Sequence, residues 1–213
     1  SDLDLSEKLI KGSKALGIEL SKQQQELLLK YVRLLQKWNK AYNLTAVRDP
    51  SAMVIYHLLD SLTMVKHFQG ESRSVVDVGT GAGIPGIPLA IMFPDSQFTL
   101  LDSNGKKTRF MQQAKIELEL QNIEVVNSRV ELFKPPAGFE VVVSRAFTSL
   151  QSFAKITQHL CASDGVFYAM KGKFPQQEID DMADDFNLLD IHKLQVPELN
   201  DERHLVVFKL KAR

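Results

Sequence analysis

Cysteine is almost absent: Cys161 stands alone in 213 residues, so no disulfide can form within the chain, and a reducing cytoplasm is the expected compartment. Its apolar surroundings, after an expected helix, make it buried filler rather than a nucleophile. Neither charge sign is in excess, with 26 Lys and Arg against 26 Asp and Glu. That balance excludes a global pull onto nucleic acid or an acidic membrane and confines any RNA-binding surface to a local patch. No apolar run reaches the roughly 18 residues of a membrane span, and no charged-then-apolar leader is visible, so a soluble protein made without a secretory signal is expected. The five histidines are scattered. They form no metal-ligand cluster, and no nucleophile has an adjacent base.

What the chain does have is Val75-Val76-Asp77-Val78-Gly79-Thr80-Gly81-Ala82-Gly83-Ile84-Pro85-Gly86, an apolar strand running into alternating glycines and a helix start. Such a loop turns tightly, approaches a ligand closely and ends in free helix N–H groups. Sixteen residues past Gly86 the next strand ends in Asp102, where an acid accepts hydrogen bonds from both hydroxyls of a ribose. The loop also satisfies the dinucleotide fingerprint of a nicotinamide-dependent oxidoreductase. Asp77 separates the two readings, because a carboxylate at the end of a buried strand repels a pyrophosphate but suits a cationic ligand. The pattern Asp-x-Gly-x-Gly-x-Gly followed by a ribose acid resembles the class I S-adenosylmethionine-dependent methyltransferases.

The order of elements supports one α/β domain with an extension. Residues 1–70 read as a helical N-terminal extension. Ser21 and Gln24 form a capping box, and Leu28, Tyr31, Leu35, Trp38 and Tyr42 recur at helical spacing. Asp49-Pro50 starts a second helix carrying Val54, Leu58, Leu62 and Val65, with His57 and Asp60 nearby. From residue 71 to 213 strands alternate with helices. Strands are predicted at Ser74 to Val78, Gln97 to Leu101, Glu124 to Val126, Glu140 to Ser144 and Gly165 to Met170, with helices including Lys106 to Leu120 and Pro175 to Phe186. Asp190 to Val196 and His204 to Leu210 follow without a helix between them and should pair antiparallel. The expected fold is therefore α/β and Rossmann-like, a seven-stranded, mostly parallel sheet with an antiparallel last strand.

The segments Trp38 to Thr45, His57 to Leu62, Asp77 to Pro88, Ser128-Arg129-Val130-Glu131, Ser144-Arg145-Ala146-Phe147 and Glu202-Arg203-His204 together resemble the bacterial ribosomal RNA small-subunit methyltransferase G family, also called GidB. The resemblance spans nearly the whole chain. It implies transfer of a methyl group from S-adenosylmethionine to N7 of guanine 527 in 16S ribosomal RNA, in the small subunit or its precursor; a monomer is expected. It further implies that Asp77, Gly79, Gly81, Gly83, Ile84 and Asp102 belong to the cofactor site, that Val130 and Glu131 contact the adenine end, and that Arg145 sits between cofactor and substrate. For Val130 and Glu131 a helix start with an acidic first turn is the alternative. A non-catalytic RNA or ribosome-assembly factor with the same fold is a further alternative.

An arginine directly after a strand ends at the ligand edge of the sheet, so Arg145 can donate to guanine O6 or to a phosphate. Phe147 can stack on an extruded base or serve the core. Lys106, Lys107, Arg109, Arg129, Lys171, Lys173 and Arg203 should lie along the same edge as a phosphate-binding rim. Guanine N7 carries a free lone pair at neutral pH, so no general base and no metal are expected, and alignment carries the chemistry.

Overall fold

The structure, a computed structural model, describes residues 1–68, 73–147 and 149–211. Helix α1 (Asp2–Ala15) leads into α2 (Lys22–Tyr42), which Ser21 and Gln24 cap reciprocally as the sequence predicts. Asp49 caps α3 (Pro50–Met53), which widens into a π-helical turn (Val54–Leu59) before α4 (Asp60–Leu62). The α/β part follows: β1 (Ser74–Val78), α5 (Gly86–Met92), β2 (Gln97–Asp102), α6 (Gly105–Glu117), β3 (Ile123–Asn127), β4 (Phe139–Ser144), α7 (Leu150–Thr157), β5 (Cys161–Lys171), α8 (Gln176–Asp180), β6 (Phe186–Leu194) and β7 (Arg203–Leu210).

The seven strands form one sheet in the order β3-β2-β1-β4-β5-β7-β6. Only β7 runs against its neighbours, so the expected antiparallel closing pair is present. The order reverses between β1 and β4, the switch point where open sheets leave a crevice beyond the carboxyl ends of their strands. Side chains of β1 alternate between two cores: Val75 joins one, Val76 and Val78 the other.

The boundary expected at residues 70 and 71 lies outside the described residues. Helices on its N-terminal side nevertheless share a core with the sheet, since Leu28, Tyr31 and Leu35 of α2 pack in the same cluster as Ile87, Phe98 and Phe110. The helical stripe is therefore packing surface, and only its last member, Tyr42, is exposed. On the other face Leu150 and Phe153 of α7 cover Val76, Val142 and Phe167.

Three elements differ from the sequence prediction. Helix α8 is five residues long rather than spanning Pro175 to Phe186. Asp180, Asp181, Asp184 and Asp185 crowd what would be its carboxyl end, where negative charge opposes the helix dipole. Phe186 is taken by the sheet instead, edge-on to Phe167 and Phe208 at 6.2 and 5.9 Å, so β6 begins four residues before the predicted Asp190. β5 starts at Cys161 rather than Gly165, which puts the cysteine at a strand start. Burial pushes its thiol up to about 12, consistent with an unreactive side chain.

Candidate cofactor and substrate site

Two adjoining cavities open beyond the carboxyl ends of β1, β2, β4, β5 and the start of β7. One of about 510 Å³ includes Thr45, Tyr56, Asp60, Gly81, Arg145 and Arg203 in its wall. The other, of about 220 Å³, is lined by Asp102, Val130 and Glu131 among others. Gly79 belongs to both, so the cavities meet over the glycine loop.

The loop is built by backbone geometry and by two carboxylates. Gly79 has φ +66°, and a Cβ there would fall 2.7 Å from the Ala146 Cβ, so both conformation and space demand glycine. Asp77 is 1% exposed and lies beneath the loop. Its Oδ2 accepts from the Thr80 hydroxyl at 2.7 Å and from the Gly86 N–H at 2.8 Å. Burial dominates its ionisation and raises its carboxyl to about 7, against the pull of those two hydrogen bonds. Asp102 accepts from the Gly81 N–H at 2.8 Å and the Asn104 N–H at 2.9 Å. From the other side, Tyr31 of α2 donates its buried hydroxyl to the Ala82 carbonyl at 2.7 Å, so the helical extension also fixes the loop.

These hydrogen bonds decide between the two readings of the loop. A dinucleotide pyrophosphate needs the free N–H groups of the loop and of the following helix. Here the Gly81 N–H is taken by Asp102 and the Gly86 N–H, at the start of α5, by Asp77. The same residues suit a nucleoside carrying a cationic arm, with the Asp102 carboxylate in the smaller cavity and no side chain at Gly79 to divide the trough.

The larger cavity is dominated by one buried carboxylate. Asp60, with its side chain 4% exposed, receives Arg145 Nη1 on Oδ2 at 3.2 Å and Arg203 Nε on Oδ1 at 3.1 Å. Arg145 directly follows β4 and Arg203 opens β7, so Asp60 ties two strand ends to the N-terminal helices. His57, in the π-helical turn three residues before Asp60, lies within hydrogen-bond distance of Thr45 Oγ1, at 2.9 Å from Nε2. Burial, followed by the Arg145 charge, lowers its pKa to about 4, leaving a neutral imidazole of little basicity. His204 donates from Nδ1 to the Gly172 carbonyl at 2.7 Å, a structural bond.

The predicted rim divides. Lys107, Lys171 and Arg203 border the larger cavity and Arg129 the smaller. Lys171 is largely buried and bound to Glu178 at 2.8 Å, while the 3.8 Å contact of Arg129 with Glu131 joins two exposed groups and contributes little. Lys106, Arg109 and Lys173 are exposed and line neither cavity. Phe147 stacks on Phe153, with ring centroids 5.3 Å apart at 29°, and packs against the core. Gly83 turns the loop with φ +96° and Ile84 faces the larger cavity. Sequence reasoning missed Asp60 as a site residue; its only signal was an acid on an otherwise apolar helix face. It missed Tyr56 as well.

Comparison with known proteins places the chain in a family. The chain is 54% identical over 204 residues to the ribosomal RNA small subunit methyltransferase G of Ectopseudomonas mendocina (strain ymp), covering 96% of this chain and 95% of that protein. It is 50% identical over 207 residues to the protein of the same description from Pseudomonas aeruginosa (strain UCBPP-PA14), covering 97% and 96%. Among solved structures, a SAM dependent methyltransferase from Aquifex aeolicus superposes with a TM-score of 0.58 at 15% identity, over 84% of this chain and 97% of that one. Coclaurine N-methyltransferase bound to N-methylheliamine and SAH superposes at 0.55 with 11% identity, over 91% and 74%. The profile of the family GidB, rRNA small subunit methyltransferase G, matches residues 24–206, and the chain belongs to that family.

Proposed function

We propose that this chain transfers a methyl group from S-adenosylmethionine to N7 of guanine 527 in 16S ribosomal RNA, acting in the cytoplasm as a monomer on the small subunit or its precursor. The observation that carries the cofactor half of this reading is the pair of loop N–H groups already saturated by Asp77 and Asp102, which disfavours a phosphate and favours a ligand without one. When bound, S-adenosylmethionine supplies an electrophilic methyl group on a sulfonium. Asp102 would hold the ribose hydroxyls, Val130 and Glu131 the adenine end, and Gly79 and Ile84 the floor of the trough, while Asp77 keeps the loop in shape from below.

Guanine N7 needs no proton removed, so the residues around the larger cavity have only to hold the base, exclude water and accommodate charge. Arg145, fixed on Asp60, is the positioning group, with free N–H donors for guanine O6 or a flanking phosphate. Lys107 and Arg203 would meet the RNA backbone beside it, and Arg129, Lys171 and the exposed Lys106, Arg109 and Lys173 would extend that contact. His57, held neutral, is not the base of this mechanism. The test is transfer of labelled methyl groups from S-adenosylmethionine to small subunits that lack the modification. Label should enter the RNA with the wild-type protein and fall with Arg145→Ala far more than folding stability does, the stability loss being that of leaving Asp60 with Arg203 alone. An alanine variant as active as the wild type would refute the assignment of Arg145.

A further inference from the structure

The larger cavity has a single Tyr, Phe or Trp in its wall among the described residues, Tyr56. Its surroundings make it conspicuous. Met53, Val54, His57, Leu58, Leu59 and Asp60 are all buried, whereas Tyr56 keeps 38% of its surface exposed. Among the described residues its hydroxyl makes no hydrogen bond and its ring no aromatic contact. It also lies in the π-helical turn Val54–Leu59, a widened geometry often found at functional sites. A large aromatic left without a partner at the mouth of a polar cavity is a surface for something flat. Phe147, the stacking candidate from sequence, is spent on Phe153.

The charge of the cavity adds a second reason. Lys107, Arg145, Lys171 and Arg203 line it against one acid, Asp60, among the described residues, and both oxygens of that acid are occupied by the arginines. Methyl transfer to a purine nitrogen moves positive charge onto the ring, toward a wall that is already cationic. An aromatic face carries negative potential without being a competing anion, and its attraction grows as the ring becomes cationic.

We infer that Tyr56 is the platform on which the target guanine stacks, and that it favours the cationic methylated ring over the neutral one. The inference rests on the guanine-N7 reading above. Tyr56→Ala and Tyr56→Leu should each lower kcat/KM for methyl transfer about tenfold to a hundredfold, the range of one lost base–aromatic stack. Tyr56→Phe, which keeps the ring face, should stay within about threefold of the wild type. S-adenosylhomocysteine affinity by calorimetry should be unchanged in all three, each assayed well below its own thermal midpoint. Alanine and leucine variants within about threefold of wild type would overturn the platform. So would a phenylalanine variant as impaired as the alanine one, which would make the hydroxyl the working group, or a parallel loss of cofactor affinity. Mapping the wild-type product in the same experiment separates the two levels: methylation at a guanine N7 with an indifferent Tyr56 removes only the platform, and methylation elsewhere removes the proposed function and the platform together.

Discussion

Replacing Asp60 by Asn keeps its shape and removes its charge, and the consequence can be worked from the contacts. Each carboxylate oxygen carries one guanidinium, at 3.2 Å from Arg145 and 3.1 Å from Arg203. Two charge-assisted hydrogen bonds correspond to about 3 to 6 kcal/mol in total. The released arginines recover part of this, because their side chains are already 33% and 24% exposed and turn readily to water. The amide nitrogen of Asn, however, would face one guanidinium, donor against donor, in a site that is almost dry. The net loss should be about 2 to 3 kcal/mol, below the range for fully buried pairs. For a chain of 213 residues that corresponds to a thermal midpoint lower by roughly 4 to 12 °C. Methyl transfer should fall further than stability does, since one guanidinium then loses its anchor at the cavity and the other keeps only a neutral acceptor. A double-mutant cycle sharpens the test: Arg203→Ala should be costly in the wild type and nearly neutral beside Asp60→Asn, with a coupling of about 1 kcal/mol or more. A midpoint shift under about 2 °C with additive effects would refute the idea that Asp60 organises the two arginines.

Asp102→Ala should weaken S-adenosylhomocysteine binding by about 1.5 to 3 kcal/mol, the loss of a charge-assisted hydrogen bond, and calorimetry that finds unchanged affinity would take Asp102 out of the ribose site. Asp77, raised to about 7 from 3.8 by burial, binds its proton more tightly in the folded than in the unfolded chain. Its contribution to stability therefore declines as pH rises from about 4 to about 7 and is level above that. Urea unfolding of Asp77→Asn should show this slope abolished, so that the variant gains on the wild type between about pH 4 and about pH 7; parallel profiles would contradict the raised value. Tyr31→Phe removes the buried bond to the Ala82 carbonyl and should cost about 1 to 2 kcal/mol. A urea midpoint equal to that of the wild type would show that α2 does not fix the loop through this hydroxyl.

The sheet was legible because its inner strands are short β-branched runs between glycines and acids, and β1 and β2 begin at the predicted residues. The edge was less legible. Leu188 and Leu189 are both exposed on β6, where a register shift between Leu188 and Asp190 breaks the alternation on which strand reading depends. In the site, the loop and Asp102 could be recognised because their chemistry is local in sequence. The Asp60 cluster could not, since Arg145 and Arg203 lie 85 and 143 residues from Asp60 and an acid on an apolar helix face does not say which cations will meet it. The basic rim was legible as a set of residues near the strand ends, but the sequence does not say that Lys107, Lys171, Arg203 and Arg129 border a cavity while Lys106, Arg109 and Lys173 do not. The π-helical turn that leaves Tyr56 facing the cavity has no sequence signature at all.

The central claim is that an unassisted lone pair on a purine nitrogen attacks in a site built for alignment. Methylation at N7 fixes a positive charge on the imidazole ring of guanine, so hydride reduction of that ring loosens the glycosidic bond, the base is lost, and the product can be located by amine-catalysed strand cleavage at the abasic site. Unmodified small subunits treated with this protein and S-adenosylmethionine should give 16S ribosomal RNA that cleaves at guanine 527 and nowhere new. Methyl incorporation without cleavage at that guanine would mean transfer to another atom or another nucleotide, and would contradict the account.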